Sequence, residues 1–179
     1  DGDTGTNMML TMRSTMDEAN KAKSGRVSAV AQAMSRGALM GARGNSGVIL
    51  SQIFRGMAKG LDDVERFNGP YLSTALQEAA IMAYRALSRP VEGTMLTVIK
   101  DVAAATRAAA AKDSATVVAV LEAGVAEARR SVARTPALLS VLREAGVVDA
   151  GGQGLYVLLE GALRFLRGET RQMQYERPR

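Results

Sequence analysis

The chain opens on two carboxylates separated by a single glycine, Asp1-Gly2-Asp3. In a loop, this spacing lets both carboxylates converge on one hard cation such as Mg²⁺, and glycine permits the tight backbone path. The same tripeptide is also typical of an exposed turn capped by aspartate, and taken alone it favours the turn. A calcium-binding EF-hand is excluded, because Met12 stands where that loop needs a bidentate glutamate.

The next residues, Thr4-Gly5-Thr6-Asn7, are small hydroxyl and amide residues that open a helix. Backbone N–H groups at a helix start attract phosphate oxygens, because the positive end of the helix dipole lies behind them. Capping of the helix by Thr6 or Asn7 explains the same residues equally well. The segment therefore predicts either a phosphate site or an ordinary helix cap.

A second glycine-rich loop, Gly41 to Gly47, also leads directly into a helix. It lacks the lysine and the glycine spacing of a Walker A loop. A nucleophilic role for Ser46 is not expected, because the chain contains no histidine to serve as its base. The remaining functional interpretation is a loop whose backbone N–H groups surround an anion. Arg43 would add positive charge to such a site, although an ordinary solvated arginine explains this residue equally well.

Two further loops lead into helices: Pro90 to Met95, with Thr94 at the helix start, and Asp149 to Gly154, with an acid and three glycines. Each loop alone is more typical of a helix cap than of a site. Four such loops collected at one end of a helical bundle would nevertheless form a single anion-attracting pocket.

Composition limits the chemistry that is available to these loops. The 179 residues include no cysteine and no histidine, so disulfides, thiolate metal sites and the commonest general base are absent. The formal charge is +5, but the basic residues are scattered among acidic ones, and nucleic-acid binding is not expected. No apolar run approaches the roughly 20 residues that span a bilayer, and no signal-peptide pattern is present, so a cytoplasmic protein is expected.

Aromatic residues make up only 4% of the chain, and apolar residues recur at helical spacing, which predicts an all-α fold. Breaks at Ser24-Gly25, Gly41–Gly47, Ser88–Gly93 and Val147–Gly152 divide the chain. Eight helices are predicted: one through Met8 and Met16, then Val27–Leu39, Val48–Gly60, Pro70–Leu87, Met95–Lys112, one from a cap at Ser114 through Val125, one from Thr135-Pro136 to Gly146, and Leu155–Leu166. The abrupt start on a loop predicts that the natural chain begins further upstream and that the first helix is truncated.

In this order, the strings DGDTGTNM, GARGNSGVILSQIFRG, PVEGTMLTV and EAGVVDAGGQGL resemble the DhaL-like nucleotide-binding domain. This domain is shared by the dihydroxyacetone kinase L subunit and bacterial fatty-acid kinase. The resemblance covers residues 1–168 and is closer to the fatty-acid kinase branch. Residues 169–179 are interpreted as a polar tail or linker.

The resemblance implies an eight-helix antiparallel barrel or bundle with ATP or ADP and two Mg²⁺ ions at one end. It implies that Asp1 and Asp3 bind magnesium, together with a ligand that the family carries a few residues upstream. It also implies that Asn7, Gly44, Asn45, Ser46 and Gly47 line the phosphate site, and that Thr94, Met95, Asp149 and Gly151 lie nearer the nucleoside. Thr4, Thr6 and Met8 are further implied nucleotide-binding residues. Arg43 is the candidate catalytic residue, as a source of transition-state charge stabilisation.

By the same resemblance, the full protein would transfer the γ-phosphoryl group of ATP to a fatty-acid carboxylate held by a partner lipid-binding protein. A homodimer formed through regions outside this chain is a further expectation. Two alternatives stay open: a nucleotide-binding subunit of a dihydroxyacetone-type sugar kinase, and a non-enzymatic helical adaptor whose glycine loops are only turns.

Overall fold

The computed structural model describes residues 2–169. This part of the chain contains eight α-helices joined by loops, and no strand. The helices are α1 (Thr4–Lys21), α2 (Val27–Gly41), α3 (Gly44–Gly60), α4 (Gly69–Arg85), α5 (Met95–Ala110), α6 (Val117–Leu138), α7 (Ser140–Ala145) and α8 (Ala150–Leu166). The predicted all-α fold with eight helices is confirmed. None of the helices in this part of the chain is long and apolar enough to cross a membrane.

Each long helix packs against the next one, from α1 to α6, and α8 packs against α6, α5 and α1. The short α7 packs against α6. Large aliphatic side chains with an exposed fraction of 1% or less fill the core between the helices: Leu50, Leu76, Leu96, Ile99 and Val120. Small residues bring the helices close together, since a Cβ at Gly56 of α3 would collide with the backbone of Glu78 and Ala79 in α4. This close packing needs few aromatic residues.

The first two predicted loops are shorter in the structure than in the sequence prediction. Helix α1 begins at Thr4, with Asp3 as its N-cap residue, so the predicted capping by Thr6 or Asn7 is wrong. Both residues lie inside the first turn. The break after α2 contains only residues 42 and 43, because α2 continues through Gly41 and α3 begins at Gly44.

The predicted start of the seventh helix at Thr135-Pro136 is wrong, because both residues lie inside α6. Proline has no backbone N–H, so the carbonyl of Val132 loses its usual helical donor. The hydroxyl of Thr135 replaces that donor, with its Oγ1 2.7 Å from the carbonyl oxygen of Val132. Helix α6 therefore continues to Leu138, and α7 begins only at Ser140.

Two further boundaries differ from the prediction because other residues act as the caps. Thr116, not Ser114, caps α6, since its side chain accepts a hydrogen bond from the N–H of Ala119 at 3.0 Å. The predicted loop from Val147 to Gly152 ends at Asp149, which caps α8 by accepting from the N–H of Gly152 at 2.7 Å. The glycines of this loop therefore belong to the first turn of α8.

The connection between α4 and α5 is held by the carboxylate of Glu92. It accepts hydrogen bonds from the Tyr84 hydroxyl at 2.9 Å, the Thr97 hydroxyl at 2.6 Å and the Lys100 ammonium at 2.8 Å. The Lys100 nitrogen also lies 5.7 Å from the centroid of the Tyr84 ring. The hydrogen bonds from Lys100, and then from Thr97, hold the pKa of Glu92 at about 2. The loop that leads into α5 is thereby tied to both flanking helices.

This lowered pKa predicts a pH-dependent effect of the substitution Glu92→Gln. The ionised carboxylate stabilises the fold above the ordinary glutamate pKa of 4.5, and that stability is lost as the pH falls towards 2. Because the side chain is partly exposed to solvent, we expect a loss on the order of 1 kcal/mol at pH 7. Urea unfolding between pH 3 and pH 7 measures the free energy of unfolding of the variant and of the parent chain, and the difference between the two should shrink as the pH falls.

Glu144→Gln is the matched control, since Glu144 is exposed and has no ion-pair partner among residues 2–169. A difference between Glu92→Gln and the parent chain that is the same at pH 3 and pH 7 would contradict the assignment.

Candidate functional site

The N-terminal ends of α1 and α3 meet at Asn7 and Gly44. Gly44 has a φ of +62°, and a Cβ at this position would lie 2.5 Å from the side-chain nitrogen of Asn7. Only glycine tolerates both this left-handed backbone and this close approach. The contact brings together the first two loops that the sequence singled out.

Neither of these helix starts has a side-chain cap from residues 2–169. Asp3 and Arg43 occupy the N-cap positions of α1 and α3, and neither side chain accepts a hydrogen bond from the first turn. Several backbone N–H groups at these starts therefore have no acceptor within residues 2–169. They belong to Thr4, Gly5 and Thr6 in α1 and to Gly44, Asn45 and Ser46 in α3. Such groups need an external acceptor, and an anion is the strongest one.

Each of the other long helices satisfies at least one of its first N–H groups within the protein. Side chains cap α4, α5, α6 and α8, through Asn68, Thr94, Thr116 and Asp149. Helix α2 has no side-chain cap, but its first two N–H groups donate to the carbonyls of Glu65 and Val64. Among the long helices in the described part of the chain, only α1 and α3 have three first N–H groups that all lack an acceptor within residues 2–169, and these two starts meet where Asn7 contacts Gly44.

The third and fourth loops join the same end of the fold through glycines in the first turns of α8. A Cβ at Gly151 would lie 3.0 Å from Met95, the first residue of α5. A Cβ at Gly154 would lie 2.5 Å from the sulfur of Met8 in α1. The four loops thus form one continuous series of contacts, and the anion pocket that the sequence predicts there stays a prediction.

On the α5 and α8 side, the predicted binding residues have internal roles. Thr94 caps α5 and also donates to the carbonyl of Val91 at 2.7 Å, while Met8 and Met95 are buried in the core. Burial raises the pKa of Asp149, and hydrogen bonds from the N–H groups of Gly152, Met95 and Gly151 oppose that rise. These residues shape the site, and their direct contact with a nucleoside stays a prediction.

The predicted metal site is described only in part, since Asp1 lies outside the described residues. Asp3 is exposed, its carboxylate is not used for capping, and it has no ion-pair partner among the described residues. Residues 2–169 contain no group of three acidic side chains that could hold a metal ion by itself. A free carboxylate beside unsatisfied N–H groups suits Mg²⁺ that takes its remaining ligands from phosphate oxygens and water. Magnesium binding stays a prediction.

Arg43 lies where a positive charge would act on the same anion. It is exposed at the N-cap of α3, and its guanidinium has no ion-pair partner in the described part of the chain. Its backbone N–H donates to the hydroxyl of Thr11 at 3.2 Å. A catalytic role for the guanidinium stays a prediction.

A groove of about 440 Å³ between α2, α3 and α4 is a separate feature. Its lining includes Arg36, Arg55 and Lys59, but none of the residues that the sequence singled out. Lys59 is already paired with Glu78 at 3.5 Å. The candidate site is therefore the open surface formed by the four loops, where the unsatisfied donors lie.

The sequence did not identify the side chains that hold these loops, which are those of Thr11, Glu92 and Thr97. Thr135 was predicted only as a helix cap. The hydroxyl of Thr11 contacts a residue 32 positions away, and that of Thr135 contacts one 14 positions away. In the sequence, such a threonine can be recognised only by its position among apolar residues on one face of a helix. That signal identifies burial but not the partner.

A family model and several curated relatives match this chain. A family model described as DAK2 domain matches residues 1–164. Protein YloV of Bacillus subtilis (strain 168) is 49% identical over 170 residues, which are 95% of this chain and 31% of that protein. An uncharacterized protein of Staphylococcus aureus (strain bovine RF122 / ET3-1) is 46% identical over 169 residues, which are 94% of this chain and 31% of that protein.

The chain thus spans slightly under a third of the length of these curated relatives. The family model matches residues 1–164 of the 179 in this chain, and all four loops lie within that range. The chain belongs to the DAK2 domain family.

Proposed function

We propose that this chain is the ATP- and magnesium-binding domain of a phosphotransferase. The observation that carries the proposal is the meeting of two uncapped helix starts, at Asn7 and Gly44, beside the free carboxylate of Asp3. DAK2 domains are kinase-related, which supports a phosphoryl-transfer role for a site of this kind. The site offers backbone donors for phosphate oxygens and a carboxylate for the accompanying cation.

The helix contacts support a barrel with the nucleotide at one end. The helices contact each other in the order of the chain, and α8 returns to α1. Contacts join the starts of α1 and α3, of α5 and α8, and of α1 and α8. In a closed up-and-down barrel, these four helix starts lie at the same end and direct the positive ends of their dipoles towards one ligand.

We further propose that the phosphoryl acceptor is a fatty-acid carboxylate that a partner lipid-binding protein presents. This finer assignment rests on the resemblance of the four loop strings to the fatty-acid kinase branch. A carboxylate oxygen would attack the γ-phosphorus, the bond to the β,γ-bridging oxygen would break, and ADP would leave with the electron pair. The products are an acyl phosphate and ADP.

The residues of the chain suit this chemistry. A carboxylate acceptor is already ionised at pH 7, so a chain without histidine needs no general base. Phosphoryl transfer depends mainly on positioning and charge neutralisation. The N–H groups of α1 and α3 would hold the phosphates, Arg43 would add positive charge, and Asp1 and Asp3 would hold magnesium. Bound magnesium would neutralise phosphate charge.

The carboxylate of Asp3 provides the first test. We expect Asp3→Asn to weaken magnesium-dependent ATP binding about tenfold, because a neutral amide is a poorer ligand than a carboxylate. The double variant with Asp1→Asn should abolish that binding. Calorimetric titration with and without Mg²⁺ measures both effects, and circular dichroism checks that the helices are kept.

Asp17→Asn is the control, since it makes the same charge change at an exposed position further along α1. Unchanged magnesium-dependent affinity in the Asp1 and Asp3 double variant would exclude the metal assignment.

The close contact at Gly44 provides a second test. Alanine at this position would strain the left-handed backbone and push the Asn7 side chain away, so we expect nucleotide affinity to fall on the order of tenfold. Gly146→Ala is a matched control, because Gly146 has a similar φ of +68° and nothing within 4 Å of the added Cβ. Both variants carry the same backbone strain, roughly 1–2 kcal/mol.

Titration of each folded variant with magnesium and ATP separates the two effects. Equal affinities for the Gly44 and Gly146 variants would show that the Asn7 contact is not part of the nucleotide site.

The acceptor is tested by an assay of the full-length protein with two alternative substrates. We expect acyl phosphate to form with a partner protein loaded with fatty acid, and no phosphorylation of dihydroxyacetone. The reverse result would assign the protein to the sugar-kinase branch. ATP binding by neither the chain nor the full protein, at millimolar nucleotide with Mg²⁺, would favour the non-enzymatic adaptor.

A further inference from the structure

Five threonines in the helices are almost completely buried, with exposed fractions of 3% or less: Thr11, Thr15, Thr97, Thr106 and Thr135. A buried hydroxyl needs hydrogen-bond partners, and it can both donate one bond and accept others. The partners of these hydroxyls divide the five residues into two groups.

In the first group, each hydroxyl accepts a hydrogen bond from the backbone of a loop. The N–H of Arg43 donates to Thr11 at 3.2 Å, the N–H of Gly93 donates to Thr97 at 2.8 Å, and the N–H of Asp149 donates to Thr135 at 3.0 Å. Arg43 and Asp149 are the N-cap residues of α3 and α8, and Gly93 directly precedes the N-cap of α5. Three buried hydroxyls therefore hold the starts of three helices.

The same hydroxyls also donate, which fixes their orientation. Thr11 donates to the carbonyl of Asn7 at 2.8 Å, Thr97 to the carboxylate of Glu92 at 2.6 Å, and Thr135 to the carbonyl of Val132 at 2.7 Å. With its hydrogen committed in this way, each oxygen turns its lone pairs towards the loop. Hydrogen bonds in a buried, low-dielectric setting are stronger than those at the surface.

The surroundings leave little space for the loops to shift. A Cβ at Gly47 would lie 2.5 Å from the hydroxyl of Thr11, and a Cβ at Gly93 would lie 3.0 Å from the carbonyl of Thr135. The glycines thus allow the loop backbone to reach the hydroxyls, and the hydroxyls then hold it there.

Thr15 and Thr106 form the second group. Thr15 donates to the carbonyl of Thr11 at 2.8 Å, and Thr106 donates to the carbonyl of Val102 at 2.9 Å. Neither hydroxyl accepts a hydrogen bond from a loop within residues 2–169. Like Thr11 and Thr135, they are buried and donate to a carbonyl of their own helix, but they lack the contact with a helix start.

We propose that Thr11, Thr97 and Thr135 are positioning residues of the nucleotide site. The hydroxyl of Thr11 fixes the start of α3, which carries backbone donors of the site, and the hydroxyls of Thr97 and Thr135 fix the starts of α5 and α8, which shape it, before the ligand arrives. This inference rests on the proposed function, because it assigns the three contacts to nucleotide binding and not to stability alone.

The test compares valine variants of the two groups, since valine keeps the branched shape and removes the hydroxyl. Thr11 and Thr15 lie one turn apart on α1, and they form the closest pair. We expect Thr11→Val and Thr135→Val to bind ATP with Mg²⁺ about 3- to 10-fold more weakly than the parent chain, the range for loss of one hydrogen bond. We expect Thr15→Val and Thr106→Val to bind within about twofold of it, on the same scale of hydrogen-bond energies.

Two further measurements separate positioning from a general loss of stability. Thr11→Ser keeps the hydroxyl and should restore the affinity even if its melting temperature stays lowered. Amide hydrogen exchange at Arg43 and Asp149 should become faster in the Thr11 and Thr135 valine variants, and should stay unchanged in the two controls. If a valine variant does not fold, the serine variant and the exchange rates of the parent chain still report on the same bonds.

The inference would be overturned if the valine variants of both groups bound ATP with equal affinity. It would also be overturned if amide hydrogen exchange at Arg43 stayed slow after the Thr11 hydroxyl was removed. Neither result would exclude nucleotide binding by the parent chain. No binding of ATP and Mg²⁺ by the parent chain would instead overturn the proposed function, and this inference with it.

Discussion

The candidate site depends on backbone N–H groups at the starts of α1 and α3 that have no acceptor within residues 2–169. Each of the other long helices in the described part of the chain has at least one of its first N–H groups bonded to a side chain or to a backbone carbonyl. Gly5, Thr6, Gly44 and Asn45 are exposed at the two open starts, so an external acceptor can reach their N–H groups. An anion with several oxygens satisfies donors from both helices at once, and phosphate is such an anion.

The rest of the fold makes this arrangement possible through small residues. Gly44 lets α3 begin against Asn7, and Gly151 and Gly154 let α8 lie against Met95 and Met8. Larger side chains at these positions would separate the four loops. Buried hydroxyls and the Glu92 carboxylate then fix the loops that the glycines alone would leave free to move. Close packing and polar anchors therefore act together to hold the helix starts that carry the backbone donors.

Much of the fold could be predicted from the sequence, because helical periodicity is a local property. The order and number of helices in the described part of the chain follow from the spacing of apolar residues and from the glycine breaks. The boundaries were less predictable, since they depend on individual side-chain hydrogen bonds, some local and some between distant residues. Pro136 stays inside α6 because Thr135 supplies the missing donor to Val132, and no rule of local propensity includes that bond. The four loops were identifiable by composition, whereas the hydroxyls that hold them belong to residues distant in the sequence.

The central claim is that the open starts of α1 and α3 receive the phosphates of a nucleotide. Nuclear magnetic resonance of the amide-labelled chain during titration with ADP and Mg²⁺ tests this claim most directly. If the phosphates bind there, the largest shifts occur at the amides of Gly5, Thr6, Gly44, Asn45 and Ser46, with smaller shifts at the start of α8. Shifts centred on the groove at Arg36 and Arg55, with the amides of α1 and α3 unchanged, would contradict the claim.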